Sequence, residues 1–428
     1  MDSVHPANRL RFLSVAAILC SGWAQCPAQN PAASPFHPLM VGYFPQGGLS
    51  LARPFYVKNL VVNHAVDKLD QIDYSQGAVR NGHCSLADPD ADLGIRFNRH
   101  NSVNGKSDSR NSRFRGYFHQ IEELKLRYQH LKILISLEGQ AQDFAVDALP
   151  ENRKAFVASC VDTFLSGHLA PGVYKPRLFD GIDIDWESPQ GTDAPNFLAL
   201  IQEFRRQMSE VRPDLLLSVA VDESPQTLSG TDFARIAPLV DQVGVMNYDY
   251  AGPWSQTTGL LAPLFSNDPR DLPSIEKSIA AYEAAGVPPK KILMGLPFYG
   301  YSWTEVETGN SGLFQKGNAV EQDRSYSHIR SIAPNFSTYR EELSQAPWLF
   351  DGRTFWTFED PVSIRFKASY AARQHLGGLM IWELSGDTAD AELLNVAYRS
   401  LHDPLEERVF LEHKRKPRPA TVALPVHK

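Results

Sequence analysis

Residues 180–187 read Asp-Gly-Ile-Asp-Ile-Asp-Trp-Glu, a stretch in which acidic and apolar side chains alternate. Successive side chains of a β-strand point to opposite faces, so Asp183, Asp185 and Glu187 are expected on one face and the apolar residues on the other. In a closed barrel the acids would point inward near the carboxyl end of the strand, and the apolar face would meet the surrounding helices. The stretch therefore predicts a barrel strand that carries chemistry.

Eight segments in all, rich in β-branched and apolar residues, predict strands. They are residues 39–44, 60–66, 132–137, 179–186, 215–221, 242–248, 291–297 and 378–384. Most are nearly continuous apolar runs, as expected of parallel strands buried on both faces. Amphipathic segments between them predict helices at residues 115–128, 151–165, 194–211, 272–285, 362–375 and 389–401.

Strand and helix alternate along the chain, which indicates right-handed βαβ units. Eight such units favour a (β/α)8 TIM barrel of the α/β class over a doubly wound sheet, and no Gly-x-Gly-x-x-Gly turn follows the first strand. Two connections are long, 67–110 and 304–353. The second is dense in aromatic residues and predicts a small α+β insertion between strands 7 and 8.

The two ends of the chain are not expected to belong to the barrel. Residues 1–28 have the pattern of a signal peptide, with arginines before a short apolar run and small residues at possible cleavage sites. The catalytic barrel is predicted over 29–403, and the basic segment 404–428 is expected to be a disordered tail. The protein is therefore expected to be secreted, to the extracellular space or the periplasm. There Cys84 and Cys160 either pair or stay free.

The charge balance excludes several partners. The chain has 42 Lys and Arg against 49 Asp and Glu, a net charge of −7. Both ends are basic, so the predicted barrel is more acidic than this total. A nucleic acid or an anionic membrane would not be favoured by such a surface, whereas an uncharged polysaccharide tolerates it.

The acidic strand predicts general acid catalysis. Ionising all three neighbouring carboxyl groups at once is energetically unfavourable, because nearby like charge and burial both raise the pKa of a carboxyl group. A proton held between Asp183 and Asp185, with Glu187 kept protonated, would supply an acid near neutral pH. A calcium site is disfavoured, since Trp and Glu follow where a calcium loop needs Gly and flexible polar backbone. The sequence predicts no metal site and no cofactor.

The stretch 180–187 resembles the Asp-x-x-Asp-x-Asp-x-Glu signature of family 18 glycoside hydrolases, the chitinases and their relatives. The resemblance covers about residues 39–402, and the connection 304–353 resembles the small α+β domain of the family's deep-cleft subgroup. Further similar segments are 42–44, 245–250, 295–300, 356–361 and 377–382.

This resemblance implies roles for the residues of the signature. Glu187 would protonate the glycosidic oxygen, and the nucleophile would be the substrate's own N-acetyl group. Asp185 would orient that group and stabilise an oxazolinium ion, while Asp183 shares its proton. Tyr248 would donate a hydrogen bond to the acetamido oxygen. These four are the predicted catalytic residues.

Substrate binding would depend on residues at the strand ends. Trp382 would form the floor of the cleavage subsite, and the other predicted binding residues are Tyr43, Met246, Asp249, Trp254 and Tyr299. Three positions depart from the family pattern: Glu138 replaces a usual Gly, Gln140 a usual Trp, and Tyr301 a common Arg. They predict altered subsites and a preference for short or modified chains over crystalline chitin.

The resemblance implies a chitinase that cleaves β-1,4-linked N-acetylglucosamine polymers or oligomers by retaining, substrate-assisted catalysis. With the predicted signal peptide it would be secreted, and it is expected to be a monomer. Two alternatives stay open. One is an endo-β-N-acetylglucosaminidase that acts on glycans or peptidoglycan, although such relatives generally lack the insertion. The other is a non-catalytic chitin-binding lectin, although such lectins typically replace the acid that here is Glu187.

Overall fold

The computed structural model describes residues 36–186, 189, 191–223, 230–266, 270–406, 408–409 and, for the backbone, 424–425. Residues from Pro38 onward form one compact unit, and of the separate unit Met1–His37 only Phe36 and His37 are described. The predicted signal peptide, Glu187 and most of the basic tail lie outside the described residues. Within the described part, no helix combines the length and apolar character needed to cross a membrane.

Eight parallel strands form a closed barrel, which confirms the predicted fold class. They are β1 (Leu39–Pro45), β2 (Gln71–Arg80), β3 (Lys132–Glu138), β4 (Gly181–Asp185), β5 (Leu216–Val221), β6 (Gln242–Val245), β7 (Ile292–Pro297) and β8 (Gly378–Trp382). Each strand pairs with the next, and β1 pairs with both β2 and β8, so the sheet has no free edge around the barrel.

Helices surround the strands. The described α-helices are Val57–Val62, Gly116–Arg127, Ala141–Asp147, Arg153–Cys160, Asp193–Val211, Phe233–Ile236, Ile275–Ala284, Tyr326–Ile332, Pro361–Arg373 and Glu392–His402. Short 3-10 helices span Gln46–Ser50, Pro289–Lys291, Gly309–Gly312, Ala333–Asn335 and Leu384–Gly386, and π-helical turns span Asp90–Gly94 and Val161–Leu165. A two-stranded hairpin, His168–Ala170 with Val173–Tyr174, precedes β4.

The prediction of a strand at residues 60–66 is wrong. That segment begins inside the helix Val57–Val62, whose start is stabilised by a 2.6 Å hydrogen bond from the amide of Tyr56 to Oδ1 of Asn59. The true second strand is β2, inside the predicted connection 67–110. Every second residue at the start of this strand is polar, and these residues face the barrel interior. The segment therefore lacks the apolar run that marks the other strands.

An insertion lies between β7 and β8, as predicted. Antiparallel strands Asn318–Val320, Tyr301–Thr304, Phe355–Thr357, Pro347–Phe350 and Ser337–Arg340 form its sheet in this order, and Leu424–Pro425 pairs with the last of them. The helix Tyr326–Ile332 lies within the same segment. Between β7 and β8 the strands of this sheet run from Tyr301 to Thr357, so they extend past both ends of the predicted range 304–353.

Cys84 and Cys160 form a disulfide, which resolves the alternatives left open by the sequence. Cys84 lies on the short strand His83–Leu86, which pairs antiparallel with β2, and Cys160 is the last residue of the helix Arg153–Cys160. The bond therefore ties a hairpin at the end of β2 to a helix on the outside of the barrel.

The apolar face of β4 packs against the helices. Ile182 and Ile184 are fully buried, and the ring of Trp186 stacks on Phe144 with a centroid distance of 5.5 Å. The edge of Phe197 meets the same indole at 5.7 Å. This layer fixes β4 so that its acidic residues face the interior.

Candidate active site

Among the predicted catalytic residues that the structure describes, Asp183 is the most enclosed, with 1% of its surface exposed. Its carboxylate accepts hydrogen bonds from three hydroxyl groups: Oδ2 from Tyr43 and from Ser136, each at 2.8 Å, and Oδ1 from Ser218 at 2.5 Å. The donors come from β1, β3 and β5. Ser136 and Ser218 lie directly beside Asp183 in the two neighbouring ladders, so strand register alone places them there.

Burial raises the pKa of Asp183, and the three hydroxyl donors partly oppose this by stabilising the ionised form. Asp73 on β2 is similarly buried. Its pKa is raised well above the ordinary value, first by burial and then by the charge of Asp183, and only Gln71 opposes the shift. Because Asp183 has more donors, we expect Asp73 to be the more readily protonated of the two carboxyl groups.

Asp73 is part of a polar column inside the barrel. Nε2 of Gln71 donates to Oδ1 of Asp73 at 2.7 Å, and the amides of Gln71 and Gln242 exchange hydrogen bonds of 3.0 and 2.8 Å. Sequence reasoning missed Asp73 because β2 was misplaced. The alternation of Gln71, Asp73 and Ser75 with apolar neighbours was the signal that could have revealed it.

Asp185 lies two residues beyond Asp183, at the carboxyl end of β4. Glu138, one of the departures from the family pattern, is the last residue of β3 and stands opposite Asp185 in the ladder. The hydroxyl of Ser75 donates a short hydrogen bond to the Glu138 carboxylate. The departure from the family pattern therefore places an additional acid beside β4. Glu187 lies outside the described residues.

Trp382 is the last residue of β8 and is partly exposed at the barrel mouth. Its ring meets that of Tyr43 at 5.2 Å with an angle of 56° between the planes. Tyr43 has only 2% of its surface exposed, so it offers almost no ring face to a sugar. Tyr43 is therefore placed to hold Trp382 and Asp183 in position, and not to stack directly on substrate.

A second group of predicted residues follows β6 and β7. Asp249 accepts hydrogen bonds from the hydroxyls of Tyr299, at 2.5 Å, and Tyr301, at 3.2 Å. Burial raises the pKa of Asp249, and these two hydroxyls together with the charge of Arg324 lower it. The rings of Tyr248 and Tyr299 meet edge to face at 6.0 Å.

Two predicted binding residues differ in exposure. Met246, which directly follows β6, is partly buried against the core. Trp254 is 62% exposed, and its ring meets the edge of Tyr301 at 5.6 Å. An exposed indole on a fixed neighbour is a suitable platform for the apolar face of a sugar.

The predicted residues that the structure describes therefore lie at one end of the barrel. One group surrounds Asp183 on β1, β4 and β8, and the other surrounds Asp249 after β6 and β7. The two groups lie side by side, because their strands are neighbours: Pro297 at the end of β7 stands opposite Trp382 at the end of β8. Among the residues that the structure describes, no cluster of three or more His, Cys, Asp or Glu side chains is arranged to hold a metal ion.

Comparison with known families agrees with this geometry. The model of the glycosyl hydrolases family 18 matches residues 40–387, which include seven of the eight barrel strands and all of β1 except Leu39. The chain belongs to family 18. The family resemblance of the acidic strand is thereby confirmed, while the roles of individual residues stay predictions.

One relative and two solved structures illustrate the family membership. Chitinase C of Streptomyces lividans is 30% identical over 370 residues, covering 82% of this chain and 58% of that protein. The catalytic domain of the psychrophilic chitinase B from Arthrobacter TAD20 superimposes with a TM-score of 0.77 at 28% identity, covering 85% of this chain and 95% of that one. A family 18 N-acetylglucosaminidase from Paenibacillus barengoltzii superimposes with a TM-score of 0.67 at 25% identity, covering 85% and 100%. The chain thus spans less than two thirds of the length of Chitinase C.

Proposed function

We propose that the protein is a chitinase that cleaves β-1,4-linked N-acetylglucosamine polymers or oligomers. The main support is the setting of Asp183, which three hydroxyls hold inside a family 18 barrel two residues before Asp185. The relatives named chitinase add to this support. The partly exposed Trp382 and the exposed Trp254 supply surfaces on which sugar rings can stack.

The proposed reaction has two steps and retains the anomeric configuration. In the first, the acetamido oxygen of the substrate attacks C1 as the glycosidic C–O bond breaks, and Glu187 gives its proton to the leaving oxygen. Asp185 and Tyr248 orient the acetamido group, and the carboxylate of Asp185 balances the positive oxazolinium ion. In the second, water attacks C1 while the bond between C1 and the acetamido oxygen breaks, which restores the N-acetyl group, and the water gives a proton to Glu187.

Asp73 and Asp183 extend this proposal into the barrel. Asp73 holds the proton of the buried pair, so Asp183 can stay ionised beneath Asp185 or accept a proton from it during the cycle. The three hydroxyl donors keep the Asp183 carboxylate in one orientation throughout.

The test uses purified protein and N-acetylglucosamine oligomers of four to six units. We expect the wild type to cleave them and Glu187→Gln to lose at least about a thousandfold in kcat, since the acid of the first step is removed. Fully deacetylated oligomers should not be cut, because they lack the nucleophile. No cleavage by the wild type, or equal cleavage of deacetylated oligomers, would overturn the proposal.

A second candidate is an N-acetylglucosaminidase, favoured by the likeness to the Paenibacillus enzyme of that name. The same oligomers separate the two activities. Release of single N-acetylglucosamine units from the first time points would favour the second candidate, and release of dimers or longer products favours a chitinase.

We propose that the protein is secreted and acts as a monomer. The Cys84–Cys160 disulfide supports secretion, because disulfides persist mainly in oxidising compartments. Mass spectrometry of protein from the culture medium should find an amino terminus near residue 29. A chain that begins at Met1 would contradict the proposed secretion. A dimer in light scattering would contradict the proposed monomer.

A further inference from the structure

Arg324 belongs to the insertion, yet its backbone is joined to the exit of β7. Its carbonyl oxygen accepts a 2.8 Å hydrogen bond from the amide of Gly300, and the next residue, Ser325, forms a β-bridge with Tyr299. The amide of Tyr326 donates to the carbonyl of Phe298 at 2.9 Å. These contacts hold the Cα of Arg324 in a fixed place above the barrel mouth.

The guanidinium of Arg324 lies against two tyrosine rings. Its Cζ atom is 5.2 Å from the ring centre of Tyr299 and 5.6 Å from that of Tyr301, within the range of cation–π attraction. Nη1 donates to the Tyr301 hydroxyl at 3.4 Å. Among the described residues this is the guanidinium's one side-chain hydrogen bond, although the group carries five N–H donors and the residue is exposed.

The charge of Arg324 acts on carboxyl groups from both sides of β7. It lowers the pKa of Asp249, which follows β6, and that of Glu383, which follows Trp382 of β8. In both cases burial raises the pKa. Phe298, whose carbonyl accepts from Tyr326, also donates its amide to the carbonyl of Trp382 at 2.7 Å. The backbone beside Arg324 is therefore joined to the predicted floor of the cleavage subsite, and the guanidinium covers the ring of Tyr299.

We propose that Arg324 is a substrate-binding and specificity-determining residue whose N–H groups donate to an oxygen of an N-acetylglucosamine unit bound beside Trp382. The inference rests on the proposed function. Sugar hydroxyl and acetamido oxygens accept such donors, and two rings and a pinned backbone preorganise the planar guanidinium for this contact. Tyr299, just after β7, contributes one of those rings and Tyr301, the first residue of the inserted sheet, contributes the other, so the barrel and the insertion together support the cation.

A purely structural role for Arg324 makes a different prediction. If the side chain only fixed the insertion, its loss would lower the melting temperature and leave substrate affinity unchanged. If it binds substrate, affinity falls while the fold is unaffected, because the side chain is exposed and its backbone hydrogen bonds do not depend on it.

The test compares Arg324→Ala, Arg324→Lys and the control Arg353→Ala, an exposed arginine of the same insertion that lies 3.7 Å from Glu305. With the tetramer of N-acetylglucosamine, Arg324→Ala should raise KM about tenfold, the loss of one charge-assisted hydrogen bond, with kcat changed less than about threefold. The KM of Arg324→Lys should lie between those of the wild type and Arg324→Ala, because lysine keeps the charge but lacks the planar guanidinium. Arg353→Ala should match the wild type.

Binding of the same tetramer is also measured by calorimetry in the Glu187→Gln background, where cleavage cannot interfere. A tenfold weaker Kd for Glu187→Gln/Arg324→Ala supports the inference, whereas a Kd equal to that of Glu187→Gln overturns it. If the wild type binds but does not cleave, the proposed function fails and the Arg324 comparison still stands. If the wild type cleaves and Arg324→Ala behaves like Arg353→Ala, only the Arg324 inference fails.

Discussion

The hydroxyl of Tyr43 on β1 donates a 2.8 Å hydrogen bond to Oδ2 of Asp183 on β4, across the interior of the barrel. The same tyrosine ring meets Trp382 on β8. Tyr43 therefore connects the predicted aromatic floor to the buried acid. Movement of one would disturb the other, so this tyrosine is expected to act by positioning and not by touching the sugar.

Replacing Tyr43 by Phe removes one of the three donors to Asp183 and keeps the ring beside Trp382. We expect kcat on N-acetylglucosamine oligomers to fall about tenfold, equivalent to about 1.4 kcal/mol in the barrier. The free energy of unfolding should fall by about 1 kcal/mol, the usual net value of one buried hydrogen bond. Steady-state kinetics and urea unfolding measure the two effects.

Tyr117→Phe is the matched control. Tyr117 is also fully buried and donates a 2.8 Å hydrogen bond, but to the backbone oxygen of Phe55. It should lose similar stability and keep its activity. Equal activity losses in both variants would show that Tyr43 has no special role.

Asp73→Asn should stabilise the protein at neutral pH. The pKa of Asp73 is raised in the folded state, so folding is favoured by this group below its unfolded pKa of about 3.9, and that contribution is lost as the pH rises. Asparagine is uncharged and of the same size. The melting temperature of the variant should exceed that of the wild type at pH 7, and the difference should shrink at pH 4. A constant difference across this range would contradict the assignment of the proton to Asp73.

Trp254→Ala should weaken the binding of long oligomers with little effect on stability, because the indole is mostly exposed. Loss of one stacking platform is expected to raise KM about tenfold, or about 1.4 kcal/mol. Tyr174→Ala serves as control, since Tyr174 is 61% exposed on the hairpin before β4. If the two variants bind the hexamer of N-acetylglucosamine equally well, Trp254 is not a platform.

Removing the disulfide should lower stability and leave the active site intact. The bond closes a loop with a sequence separation of 76, for which the loss of chain entropy predicts about 4 kcal/mol. The double variant Cys84→Ala/Cys160→Ala should unfold at lower temperature and have wild-type kcat at 20 °C. An unchanged melting temperature in reducing agent would indicate that the bond does not form in solution.

The barrel was predictable because seven of its strands are apolar on both faces or carry acids at regular alternation. β2 was not, since the residues that it sends into the barrel, Gln71, Asp73 and Ser75, are polar. Their burial is tolerated only because other strands supply hydrogen-bond partners. Such partners are visible only once the barrel is closed.

Some residues of the candidate site could likewise be predicted from the sequence, and others could not. Asp183, Asp185 and Trp382 could be predicted because each is local to a recognisable strand end. Asp73 and Arg324 could not, since Asp73 depends on the register of β2 and Arg324 reaches the mouth from the inserted sheet. Tyr43 was predicted to bind sugar, but its near-complete burial and its bond to Asp183 give it a different position.

The pairing of β1 with β8 has a consequence for how the chain acquires its fold. Leu39 of β1 stands opposite Gly378 of β8, so β1 cannot pair with β8 until nearly the whole polypeptide has been synthesised. Until then β1 and β7 each have an open edge of unpaired N–H and C=O groups, and contacts so distant in sequence form slowly. Barrel closure is therefore a late event in the folding of this chain.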